Sequence, residues 1–189
     1  TAYKTAGGRI VYDGAGIEPD ILLKPYEYSN IAISLIIKHL IFDYATKFVN
    51  NHNAISNISS FTITDSIYND FKTFISDKEY DYETRSEKSL EELKKNAEQE
   101  KYFNAIAEEF ENLKQKMMHD KQEDLIKFKD ELCALLKQEI AARYYFQKGR
   151  IIASLQSDNE LNRAKEIINN SSIYSSILNG TYEKKVIDK

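Results

Sequence analysis

Three histidines and one cysteine are the side chains of this sequence best suited to hold a metal or attack a carbonyl: His39, His52, His119 and Cys133. A zinc site needs three or four converging ligands. The histidines fall in three separate segments with no carboxylate at metal-ligand spacing, so no metal is expected. Cys133 stands between Leu132 and Ala134-Leu135-Leu136, the setting of a small packed hydrophobe rather than of an activated thiolate. The clusters Gly7-Gly8 and Gly14-Ala15-Gly16 could cradle a phosphate. However, no Gly-Lys-Ser/Thr follows them and no helix opens directly behind either, so they are turn glycines. Nowhere beyond residue 25 do a nucleophile, a base and an orienting group occur at recognisable spacing. No cofactor is implied. Asn-x-Ser/Thr sequons, as at Asn57 and Asn179, are expected by chance in so Asn-rich a chain. The aromatic run Tyr144-Tyr145-Phe146 reads as packing between helices.

Composition narrows the class. The chain has 189 residues, 42% apolar and 30% charged, with a formal net charge of -4. That suits one medium domain, or a small domain with an extension, and supplies enough apolar side chains for a core. A pI near 5.5 argues against nucleic-acid binding through overall charge. From Arg85 to Arg143 acidic and basic residues are well mixed, the pattern of a solvated helical surface laced with i, i+4 pairs. The single cysteine excludes a disulfide framework and locates nothing. The opening residues have neither the basic nor the apolar region of a signal peptide. The longest apolar run, Ile31 to Ile37, stops at Lys38-His39, well short of the roughly 20 residues that cross a bilayer.

The elements follow from punctuation. Gly7, Gly8, Gly14, Gly16, Pro19 and Pro25 crowd the first 25 residues, and only Gly149 and Gly180 lie beyond. Such breakers predict turns and short strands first and long helices afterwards. Thr1 to Thr5 and Arg9 to Tyr12 read as strands of a hairpin turned by Ala6-Gly7-Gly8, and Ile21-Leu22-Leu23 as another strand. Two or three such strands build no core of their own. The piece therefore looks like the margin of a larger sheet, and strand edges left bare there would favour pairing with a second copy.

Beyond Pro25 the spacing is helical. One amphipathic helix is predicted over 29–51, on Ile33, Ile36, Ile37, Leu40, Ile41, Tyr44 and Phe48, followed by a polar loop over 53–63. A second helix, capped by Thr64 or Asp65, carries Ile67, Phe71, Phe74 and Ile75. After a charged connector over 77–85, Ser89 to Glu92 matches a capping box. The seam Phe103, Ile106, Phe110, Leu113 and Met117 then runs for about two heptads, too few for a coiled coil. Asp120 to Glu123 offers a new box before the stripe Leu125, Phe128, Leu132, Leu136 and Ile140, which suggests a helical hairpin with its tip near Asp120. That helix extends through Ala141 to Phe146 and past Gly149 toward Leu155. Two short helices follow, one opened by Ser157 to Glu160, the last ended by Asn179-Gly180. The fold class is mainly α: a multi-helix C-terminal domain with a helical hairpin, preceded by a short β-hairpin and strand.

The stretches Tyr3 to Arg9, Val11-Tyr12 and Gly14 to Asp20 resemble the closing segment of the catalytic domain in carboxy-terminal processing peptidases, also called tail-specific proteases. In that family a Thr-x-x-Gly-Arg hairpin precedes Gly-Ile-x-Pro-Asp and an apolar strand. Thr5, Gly8 and Arg9 match the first element, and Gly16, Ile17, Pro19 and Asp20 the second; Ala6-Gly7 replaces the Pro often found in the hairpin. The stretches 119–125, 142–146 and 177–182 resemble the helical tail of one branch of these enzymes.

The resemblance implies a periplasmic or envelope serine endopeptidase with a Ser/Lys dyad and a PDZ domain that binds substrate C-termini by strand addition. Both dyad residues and the PDZ domain precede the hairpin in the family's order. No catalytic residue is therefore assigned in this chain, which alone should be inactive. On this reading residues 1–25 end the catalytic domain, and 26–189 form a helical C-terminal domain supporting it and its protein or peptide substrates. Homo-oligomers could form through the hairpin or a helical face. The rival reading is a helical adaptor with no peptidase parent, supported by the heptad-like seam and the mixed charge.

Overall fold

The computed structural model describes residues 1–14, 16, 19–117, 121–183 and 186–187. In chain order the elements are β1 (Ala2–Lys4), β2 (Ile10–Tyr12), β3 (Leu22–Leu23), α1 (Asn30–Ile37), α2 (Leu40–Asn51), α3 (Asp65–Ile75), α4 (Arg85–Gln99), α5 (Phe103–Met117), α6 (Lys121–Lys127), α7 (Lys129–Ser154), α8 (Asn159–Asn169), α9 (Ser171–Leu178) and β4 (Val186–Ile187). The chain is mainly helical, with the antiparallel hairpin at its start. It forms two compact units: Tyr28–Ser154, and Thr1–Glu27 together with Leu155–Lys189.

The helical unit contains every buried hydrophobic residue among those described. Ile31, Leu35, Tyr44, Phe71, Ile75, Leu125, Leu132, Leu136 and Ile140 are fully buried, each such side chain stabilising by about 1.5–3 kcal/mol. They come from α1, α2, α3, α6 and α7, and α2 packs along α7. Hydrogen bonds tie the elements together: Ser34 Oγ donates to the Tyr80 carbonyl at 2.7 Å, and Tyr68 Oη to the Leu125 carbonyl at 2.5 Å. Glu131 accepts from the backbone N–H of Ser29, the residue whose side chain caps α1. The loop over 53–63 is irregular, yet it buries Ile58 and Phe61.

Several helical boundaries differ from the sequence expectation. The single helix expected over 29–51 is broken at Lys38-His39, where His39 takes φ 59. A straight helix would carry the face of Ile31, Ala32 and Leu35 on to positions 38, 39 and 42, which are polar or exposed. The break turns α2 so that Leu40, Ile41, Tyr44, Ala45 and Phe48 are buried instead. The capping box forms at Thr84 and Glu87, not at Ser89. Leu90 is buried, so Ser89 lies inside the first turns. The helix carrying the Phe103 seam is also interrupted: Lys101 adopts φ 62, and α4 and α5 make a hairpin around residues 100–102. The expected tip at Asp120 and its capping residue lie outside the described residues.

The long helix reaches Ser154, but not straight. Tyr145 (φ -128, ψ 16) and Phe146 (φ 54, ψ -149) leave helical geometry inside α7. A Cβ on Gly149 would come within 2.4 Å of the Ala141 carbonyl oxygen, whereas residues eight apart in a straight helix lie about 12 Å apart. The segment after Phe146 thus folds back, and Ala141 and Ala153 share a small buried cluster with Ile58. Tyr144 packs on the core and donates to the His52 carbonyl. Tyr145 and Phe146 remain 40% and 80% exposed, which corrects the expectation that all three rings pack between helices.

In the other unit β1 and β2 pair antiparallel, Tyr3 opposite Val11. The strand at Leu22-Leu23 pairs in parallel with β4, a C-terminal strand that the sequence did not announce. Asp158 and Asn170 cap α8 and α9, and Asn179-Gly180 ends α9 with Gly180 at φ 71. No residue of 1–14, 16, 19–27 and 155–183 in this unit is buried.

Candidate functional site

The residues that carry the family resemblance give the hairpin its geometry. The Thr5 N–H donates to the Arg9 carbonyl at 2.9 Å, and the Gly8 N–H to the Thr5 carbonyl at 2.9 Å. Gly8 sits at φ 85, as a three-residue hairpin loop closed by a left-handed residue requires. The Thr5 hydroxyl accepts from the Arg9 N–H at 3.2 Å, so a hydroxyl in that position reinforces the turn. Arg9 then reaches across to Asp20 and forms an ion pair through Nη2. Gly16 adopts φ 111, and Pro19 precedes Asp20. Thr5, Gly8, Arg9 and Asp20 are thereby joined in one hydrogen-bonded assembly, while Ile17 lies outside the described residues. The spacing Thr-x-x-Gly-Arg followed by Pro-Asp reads as a braced turn.

Chemically the assembly holds a guanidinium, a carboxylate and a hydroxyl already engaged with one another. It can fix the backbone of two turns relative to each other. The side chains of Arg9 and Asp20 are 25% and 34% exposed, so solvent screening limits the pair to about 1 kcal/mol.

The other candidates stay dispersed. His39 lies at the junction of α1 and α2, and His119 lies outside the described residues. His52 stacks on Phe48 at 4.0 Å, with Nδ1 2.8 Å from the Phe48 carbonyl. Among the described residues no three His, Cys, Asp or Glu side chains converge as a metal site would require. Cys133 packs partly buried against the core, and burial pushes its thiol up. Among the described residues no helix is long and apolar enough to cross a membrane.

Sequence reasoning missed a second polar assembly, in the helical unit. Glu139 pairs with Arg143, one turn on in α7, and with Arg150 beyond the bend. The Arg143 guanidinium also lies 4.0 Å over the Phe42 ring and donates to Thr46 Oγ1 on α2. An isolated Gly149 within an apolar helical pattern was the available signal for the bend that brings Arg150 back.

A protein-family model described as "Probable PDZ-protease, C-terminal helical domain" matches residues 31–168. No curated protein and no solved structure matches the chain. The match spans α1 to α8 and covers well over half of the sequence, and so this chain belongs to the family of C-terminal helical domains of probable PDZ-proteases.

Proposed function

We propose that this chain is the C-terminal portion of a serine-type carboxy-terminal processing endopeptidase of the periplasm or cell envelope. Residues 1–25 would close the catalytic domain's sheet, with the Ser/Lys dyad and the PDZ domain encoded before Thr1. The helical part beyond them would support that domain and help select protein or peptide substrates. One observation carries the reading: in the unit holding the Thr5–Gly8–Arg9–Asp20 brace, no residue of 1–14, 16, 19–27 and 155–183 is buried. A sheet margin with no core of its own needs further strands to lie on. The braced motif precedes a helical domain whose family is a protease's.

The test uses the full-length parent protein and a model substrate ending in an unstructured apolar tail. Cleavage from the tail end should require an upstream Ser and Lys, and deleting residues 86–189 should impair substrate selection or assembly. A parent frame without a Ser/Lys pair in a peptidase domain would overturn the proposal. Processing and oligomeric state unchanged by the deletion would overturn the assigned role of the helices.

A further inference from the structure

The bend inside α7 has no local cause at the residues that make it. The helix contains no proline, and its only glycine, Gly149, lies beyond Tyr145 and Phe146. By propensity alone the chain would run straight through both aromatics. Phe146 nevertheless adopts φ 54, ψ -149, a conformation that glycine enters freely and a side chain resists. Its ring is 80% exposed, so packing of that ring does not hold the bend. The contacts that hold it join residues on either side. Arg150 pairs with Glu139, Gly149 lies close on the Ala141 carbonyl, and Ala153 shares a buried cluster with Ala141 and Ile58. A strained two-residue hinge between helical segments thus separates two sets of complementary residues.

We propose that Tyr145-Phe146 is the hinge of a domain-swapped dimer, in which the partner is a second copy of this chain. In the exchanged form α7 runs straight through the hinge, and the segment beyond it enters the partner. There Arg150 meets the partner's Glu139, and Ala153 packs with the partner's Ala141 and Ile58. These contacts are the same in both forms and so favour neither. The balance is set by the hinge: straightening removes the positive φ from both chains, and short strained hinges invite exchange for this reason. Against it stands the entropy of bringing two chains together. The bent monomer therefore holds at low concentration and the swapped dimer gains at high concentration. The inference needs only this chain and stands apart from the protease reading.

Two substitutions at one position separate the strain from the ring. Phe146→Gly removes the ring and the cost of positive φ, and it weakens a straight helix. Phe146→Ala also removes the ring but keeps that cost and favours the helix. Sedimentation equilibrium on the whole 189-residue chain, refolded at high concentration, reads the difference. Phe146→Ala should dimerise at least as tightly as the unaltered chain, and Phe146→Gly at least tenfold more weakly. Equal dimerisation of the two variants would place the contact elsewhere, on a strand edge or another face, and overturn the hinge. An unaltered chain and a Phe146→Ala chain that both stay monomeric would overturn it too. A second measurement identifies the exchange itself, with Ile58→Cys in one chain and Ala153→Cys in another, both in a Cys133→Ser background. Refolded together, they should form disulfide-linked heterodimers in the dimer fraction and none in the monomer fraction. A dimer fraction without that cross-link is a side-by-side dimer of bent chains, and the swap falls.

Discussion

Phe146 has a ring 80% exposed and a backbone at φ 54, ψ -149, a region that non-glycine residues enter at a cost of roughly 1–3 kcal/mol. Its ring returns little of that through packing. The bend itself is held by its neighbours: Glu139 bridges Arg143 and Arg150, and Gly149 lies close on Ala141. Phe146→Gly should therefore stabilise the chain by about 1 kcal/mol, less the extra entropy of a glycine in the unfolded state. A higher denaturant midpoint at unchanged slope is the expected reading; a loss of stability would mean that the ring packs on something. Nothing in the sequence marked this residue, because an aromatic after Tyr144-Tyr145 continues an apolar stripe. Thr5, Gly8 and Arg9 were legible as a hairpin turn for the opposite reason. Turn chemistry is local, and the hydrogen bonds that close the turn each span four residues or fewer.

Helices were legible where their signal was local and misplaced where packing decided. The Thr64 cap and the Asn179-Gly180 stop lie where side-chain chemistry puts them. The breaks at His39, Lys101 and Phe146 all fall at non-glycine residues with positive φ. Local propensity gives no hint of such positions, since tertiary burial forces them. The parallel partner of β3 was invisible because it comes from the far end of the chain. At the bend of α7 the sequence did leave one mark, Gly149. A side chain there would collide with backbone, 2.4 Å from the Ala141 carbonyl oxygen and 2.7 Å from Tyr145 Cβ, and backbone cannot yield as a side-chain tip can. Gly149→Val should thus destabilise by about 3 kcal/mol or more, as strained overpacking does, and should disorder the return segment first. Circular dichroism should show a loss of helix confined to about two turns at mild denaturant. A variant as stable as the parent would refute the close approach.

At the scale of the whole molecule, stability resides in the helical unit, and the described residues of its core are pinned by tyrosines. Burial is the first cause that pushes Tyr44, Tyr68 and Tyr82 above their ordinary value of 10.0. Asp70 beside Tyr44, and Asp124 accepting from Tyr82, add to the shift. Tyr68 is raised further by Cys133 and Tyr80. A phenol whose pKa is raised by folding binds its proton more tightly in the native state. Its stabilising share is complete below about pH 10 and falls as the unfolded chain becomes tyrosinate and the pH climbs toward the folded value. Three such groups in one core predict a cooperative alkaline collapse, in which their absorbance change near 295 nm coincides with the loss of helical ellipticity. Tyr68→Phe should make that collapse less steep. It should also cost about 1–3 kcal/mol at neutral pH, because the Leu125 carbonyl loses its donor in a buried position. Ionisation of all three well ahead of unfolding would show that their hydroxyls reach water in the native state.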